Sequence, residues 1–288
     1  MDPQPLLGQR VMSLAVNLPG PLTAARYTAL GAAVTKVVPP TGDPLAWVSP
    51  AWHDALQAGQ EVLSLDLKSA AGRARLAELL AGADALLTST RPAALARLGL
   101  DRPTLSARYP RLCHVAIVGY PTPDEDRAGH DLTYQASVGV LEPPRFPRIP
   151  LADYAGSERA VSALFALLWA RERTGRGGCS EVSLVEALAP YADALRYGLL
   201  APGTLLGGGS PLYGLYRAAS GWVALAALEP HFAVSLARGL GLAELTAESL
   251  AKAFLARPAR EWAVWAVEQD IPLAAVHDPL CPPSQVCD

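Results

Sequence analysis

Hydrophobic and polar positions alternate in short blocks along the first half of the chain. Arg10–Val16 (RVMSLAV) is an apolar run of strand length, Leu22–Leu30 (LTAARYTAL) has helical spacing, and Ala33–Val38 (AVTKVV) reads as a second strand. The turn Asn17–Pro21 (NLPGP) separates the first two, and Gly31 stands where a helix stop is needed. The pattern recurs as strand Val62–Leu67, helix Ala70–Leu80, strand Ala85–Thr88, helix Ala93–Leu98 and strand Leu112–Val118. Strands alternating with helices predict a largely parallel sheet covered on both faces.

Beyond the Pro-rich stretch Glu142–Pro150, Ser157–Arg173 is apolar on nearly every face until its charged last turn, with Gly175 as a stop. Such a pattern predicts a buried helix. Asp153 falls just before its start, where its ordinary role is to cap the helix or face its dipole. The composition changes at the Gly-rich link Gly203–Ser210, after which two short strands, Tyr213–Arg217 and Trp222–Leu228, precede further helices. The predicted fold class is α/β. A large Rossmann-like domain with a mostly parallel sheet occupies residues 1–200, a smaller α+β domain residues 205–270, and residues 271–288 form a tail returning towards the large domain.

Composition narrows the functions. The chain has 288 residues, 51% of them hydrophobic, and a formal net charge of −3, which argues against a nucleic-acid surface. The N-terminus has no basic region ahead of an apolar stretch, and no apolar run is long enough to span a bilayer, so a cytoplasmic protein with no membrane partner is expected. Cys113, Cys179, Cys281 and Cys287 lack zinc-ligand spacing and are expected to be reduced, with no metal bound. Neither a G-x-G-x-x-G nor a P-loop motif occurs. His53, His114, His231 and His277 read as surface or strand-end residues, and the six tryptophans as core or interface.

The stretch Ala128–Leu141 (AGHDLTYQASVGVL) sets His130 against Asp131 at the head of a small, apolar segment. Its plain reading is a helix cap. Taken with ALGAAVTKVVPP, LSLDLK, STRPAALARLGL, LADYAGSERA, GRGGCSEVSLVEA, GGGSPLYGLY and ALEPHF in this order, it resembles the class III CoA-transferase superfamily. That superfamily holds formyl-CoA and carnitine CoA-transferases and the α-methylacyl-CoA racemases.

The resemblance runs from about Pro5 to His277 and is nearest the racemase branch, whose histidine matches His130. It implies an acyl-CoA enzyme in which His130 and Asp153 flank the α-carbon of a 2-methylacyl-CoA and move its proton, with Glu229 paired to His130. Inversion next to a thioester needs a base on each face and donors for the enolate oxygen, which the helix start behind Asp153 could supply. Arg91, Asp131 and Tyr134 are the implied CoA-binding residues, and the implied assembly is a homodimer of interlocking subunits. In the transferase alternative Asp153 is a nucleophile that carries the acyl group and then CoA, and His130 is structural. A third reading is a weakened homologue that binds CoA poorly, because Gln57–Val62 (QAGQEV) stands where the family usually has a basic segment, and Val38 replaces a common Glu. Arg91 remains as a guanidinium for a phosphate.

Overall fold

The computed structural model describes residues 4–279. Cys281 and Cys287 lie outside them. The chain divides into two compact units, the first running to Ala192 and the second from Asp193.

The first unit is built on a six-stranded sheet of β1 (Arg10–Ser13), β2 (Ala33–Val38), β3 (Glu61–Ser64), β4 (Ala85–Thr88), β5 (Cys113–Val118) and β6 (Cys179–Ser183). The order is β3-β2-β1-β4-β5-β6, and all five pairings are parallel. Successive residues of a strand face opposite sides, and here both sides are covered. Val11, Ala85 and Leu87 enter one apolar cluster with Tyr27, Ala160 and Leu164. Their neighbours Met12 and Leu86 enter another with Leu76, Leu80, Leu95 and Leu105. This two-sided burial explains why the strands read as continuous apolar runs.

Several expected bounds shift. β1 ends at Ser13, three residues short of the apolar run, because Val16 turns out to exchange hydrogen bonds with Ser89 (2.9 and 3.0 Å). The expected turn Asn17–Pro21 is already helical from Pro19, the helix being Pro19–Ala29, since proline is pre-set for a first helical turn. Asn17 takes the left-handed conformation at φ 64°. Gly20 is required where it stands, as a Cβ there would strike Ala15.

The long helix is Leu151–Thr174, six residues longer at its start than expected. Asp153 therefore lies inside the first turn rather than ahead of it. Nor is the helix buried all round: small residues such as Ala152, Gly156, Ser157 and Ala160 face the core, while Trp169 is 71% exposed. His114, expected at a surface or strand end, is buried within β5. Its Nε2 meets Thr88 Oγ1 at 2.9 Å, its Nδ1 lies 3.6 Å from Cys179 Sγ, and burial lowers its pKa to about 4.

The second unit has an antiparallel sheet of β7 (Tyr213–Arg217), β8 (Trp222–Ala226) and β9 (Leu273–Ala275) in that order. Part of the segment expected as a returning tail is thus the third strand of this sheet. Helices Pro230–Leu240, Ala247–Phe254 and Ala259–Glu268 accompany it. Phe254 and Trp262 centre its core, with Trp262 Nε1 donating to the Phe254 carbonyl at 2.8 Å. The Gly-rich link is an ordered turn, closed by Gly203 N–H to the Gly207 carbonyl and Gly209 N–H to the Thr204 carbonyl. Among the described residues no helix is long and apolar enough to cross a membrane.

Candidate active site

In an open parallel sheet, ligands bind beyond the carboxyl ends of the strands where the strand order reverses. Here that point lies between β1 and β4. The loops leaving these two strands are tied by the Val16–Ser89 hydrogen bonds. Asn17 stands just past one of them and Arg91 caps the helix Pro92–Arg97 after the other. A cavity of about 190 Å³ opens at this point, lined by residues that include Asn17, Ser89, Arg91, Gly119, Glu125, Arg127, His130, Tyr134 and Asp153.

Asp153 enters the cavity from the first turn of Leu151–Thr174. Pro150 precedes that helix and provides no side-chain cap. The cap comes from elsewhere: Asp131 Oδ1 accepts the Ala152 and Asp153 N–H groups at 2.8 and 3.2 Å, while Oδ2 accepts Gln135 Nε2 at 2.6 Å. Leu151 N–H donates to the Ile149 carbonyl and Tyr154 N–H to the Pro150 carbonyl. The first four N–H groups are thus engaged. The expectation that this helix start supplies donors to an enolate is corrected accordingly. Burial, and then the charge of Asp131, raise the Asp153 pKa to about 7.

His130 is the N-cap residue of the helix Asp131–Val138. The cap is made by its backbone, whose N–H donates to Thr133 Oγ1 at 3.0 Å and whose carbonyl accepts from the Thr133 hydroxyl at 2.7 Å. The imidazole makes no cap hydrogen bond, and it lines the cavity. One turn on, Tyr134 is buried against Gly119 and Gly129. A Cβ at either glycine would collide with its ring, so both must be glycine for the phenol to reach the cavity. Tyr120 packs edge-on to Tyr134, with ring centroids 5.3 Å apart. Burial first, then Asp153, push the Tyr134 pKa up to about 12, so the phenol keeps its proton at neutral pH and can donate.

The structure therefore brings His130, Asp153, Arg91 and Tyr134 to one cavity within the first unit. Asp131 does not line it; its carboxylate is spent on the helix cap and Gln135. Glu229 belongs to the second unit, as the N-cap residue of Pro230–Leu240. Sequence reasoning did not single out Ser89, Gly119, Glu125, Gly129 or Arg127. Gly129 within AGHDLTYQ and Gly119 after the fifth strand are the trace of the Tyr134 packing that the sequence carries. Among the described residues no group of three or more His, Cys, Asp or Glu could hold a metal ion.

The chain matches the family described as CoA-transferase family III over residues 6–280. It is 33% identical over 258 residues to the alpha-methylacyl-CoA racemase of Mus musculus, a match covering 82% of this chain and 65% of that protein. It is 32% identical over 203 residues to the cinnamoyl-CoA:phenyllactate CoA-transferase of Clostridium sporogenes, covering 62% and 49%. The chain thus spans less than two thirds of the length of these relatives. A solved structure of a hypothetical protein from Mycobacterium tuberculosis superposes with a TM-score of 0.83 at 24% identity, covering 96% of this chain and 86% of that one. A CAIB/BAIF family protein from Brucella suis gives 0.81 at 23%, covering 95% and 84%. At these identities the two structures show the fold.

Proposed function

The chain belongs to CoA-transferase family III, and from that premise we propose that it transfers the α-proton of a 2-methylacyl-CoA thioester, with Asp153 and His130 as the two bases. One observation carries the reading: a buried carboxyl with a pKa near 7 shares a cavity with an imidazole that no cap consumes. A general base works best when its pKa lies near the operating pH, and an ordinary exposed aspartate does not.

Asp153, ionised, takes the α-proton from one face, and His130, as imidazolium, returns a proton to the other. The carbon is inverted, with Asp153 left protonated and His130 neutral; exchange with solvent resets both. With the helix N–H groups engaged, the Tyr134 hydroxyl is the donor we assign to the enolate oxygen. Arg91 would bind a phosphate of CoA. An apolar cavity of about 260 Å³, lined by Val38, Leu65, Lys68, Thr90 and others, suits the rest of the nucleotide.

The transferase reading is favoured by a different fact, the match to an acyl-CoA:acid transferase. There Asp153 attacks the thioester carbonyl, CoA leaves as a thiolate and an acyl anhydride forms. One experiment separates the two. With a 2-methylacyl-CoA in deuterated water, the wild type is expected to exchange its α-hydrogen. His130→Ala and Asp153→Ala should each lower that rate ~10²–10⁴-fold. Acyl transfer to a carboxylic acid that survives His130→Ala and is lost in Asp153→Ala identifies a transferase. A wild type that binds the thioester yet shows neither reaction refutes both.

A further inference from the structure

Arg127 lines the candidate cavity, and neither the proton-transfer pair nor the CoA contacts assigned above use it. It stands on the loop between β5 and the helix Asp131–Val138, just ahead of His130. Its guanidinium lies over the Tyr120 ring, 4.3 Å from the centroid, and Tyr120 packs in turn on Tyr134. That contact holds the group without consuming its N–H donors, which lie in the guanidinium plane. Among the described residues neither Arg127 nor Arg91 forms an ion pair with a carboxylate. Arg127 is exposed, so a bound group can reach it. The acidic groups of the cavity offset the two arginines only in part: Glu125 has its Oε2 atom buried, and burial raises the Asp153 pKa to about 7.

The strand order separates what the two arginines meet. Across the sheet it runs β3-β2-β1-β4-β5-β6. The apolar cavity assigned to the nucleotide is lined by residues at the ends of β2 and β3, whereas Arg91 follows β4 and Arg127 follows β5. The two cavities share Val16. A CoA whose nucleotide lies over β2 and β3 therefore passes Arg91 first and brings its acyl end towards Arg127. Resting on the acyl-CoA reading above, we propose that Arg127 is a specificity-determining residue that binds a carboxylate at the far end of the acyl group, so that the substrates are 2-methylacyl-CoA thioesters of dicarboxylic acids. The guanidinium fork matches a carboxylate with two parallel N–H donors. A neutral chain of the same shape leaves those donors to water, and the difference between the two affinities is the specificity.

Calorimetry tests this with a matched pair of thioesters. One is 2-methylsuccinyl-CoA, with its methyl group next to the thioester carbonyl; the other is 2,4-dimethylpentanoyl-CoA, in which an isopropyl group replaces the distal carboxylate. Dissociation constants of both, and of CoA, are measured for the wild type, Arg127→Ala and Arg127→Gln, with thermal melts to show that each variant is folded. The wild type is expected to bind the dicarboxylic thioester about tenfold more tightly than the neutral one. Arg127→Ala is expected to abolish that ratio while leaving CoA and the neutral thioester unchanged. A wild type that binds the two thioesters equally overturns the proposal, as does a ratio that survives Arg127→Ala. An equal loss on CoA and both thioesters in Arg127→Ala places a phosphate at the guanidinium and overturns it too. Should the alanine variant not fold, Arg127→Gln, which keeps a polar side chain and loses the charge, decides by the same ratio. A wild type that binds none of the three overturns the acyl-CoA reading and this proposal with it, whereas one that keeps the ratio yet exchanges no α-hydrogen overturns the proton transfer alone.

Discussion

At Asp153 two influences oppose each other. The start of a helix favours a negative charge by about 0.3–1 kcal/mol, up to ~2 kcal/mol when partly buried. Removing a carboxylate from water costs more than that, and Asp131, already accepting the Ala152 and Asp153 N–H groups, adds repulsion. Burial wins, and the pKa rises to about 7. The consequence for stability runs opposite to that of most aspartates. Between about pH 4 and 7 the folded protein holds a proton that the unfolded chain has released, so stability declines as pH rises through that window. At ~1.4 kcal/mol per pH unit between the two values, the penalty above pH 7 is on the order of a few kcal/mol. Asp153→Asn is therefore expected to melt higher than the wild type at pH 8 and to match it near pH 4, while α-proton exchange is lost. Thermal melts at the two pH values check this, and an asparagine variant less stable at pH 8 would contradict the burial argument. Residue types at His130 and Asp153 were legible from the motifs; the proton affinity was not, because it depends on what surrounds the carboxyl.

Among the elements, the loop after β1 owes its shape to a buried ion pair two segments away. Lys36, on β2, and Asp43 are fully buried and 2.6 Å apart. Asp43 Oδ1 accepts the N–H of Leu45 at 3.0 Å and of Asn17 at 3.3 Å. Asn17, left-handed and lining the cavity, is thus held by a charge that would be intolerable without its partner. Lys36→Met is expected to destabilise the fold by roughly 3–5 kcal/mol, since it strands the Asp43 carboxylate, whereas Lys36→Met combined with Asp43→Leu should cost less. Denaturant titrations of the single and double variants measure the difference; equal losses would show that the pair contributes no more than its packing. The strand Ala33–Val38 has the same bounds in sequence and structure, but nothing in its alternation marks Lys36 as buried. The long helix shows the same division. Its apolar body was legible, while its first six residues were not, because a carboxylate from another helix replaces the local cap that the sequence lacks.

For the whole molecule, large apolar side chains remain on the surface of the first unit, including Phe146 at 81% exposed and Trp169 at 71%. The assembly that the family resemblance implies leads us to expect a homodimer. Light scattering should return twice the chain mass, and the mass of a single chain at micromolar concentration would count against it. Sequence alone determined the alternation of strand and helix, the parallel sheet in the first unit, the change of composition ahead of the second, and the motifs that carry His130, Asp153 and Arg91. These are local properties: the backbone sends successive side chains to opposite faces of a strand or to one stripe of a helix, so the period of the apolar residues reports the element directly. Only the tertiary structure decided that His130 keeps its ring free of the cap, that burial raises the Asp153 pKa to about 7, that Gly119 and Gly129 make room for Tyr134, that Asp131 caps a helix, and that Glu125 has an oxygen without a donor among the described residues. Each of these depends on groups distant along the chain, whose burial and hydrogen bonds exist only once the sheet has brought them together.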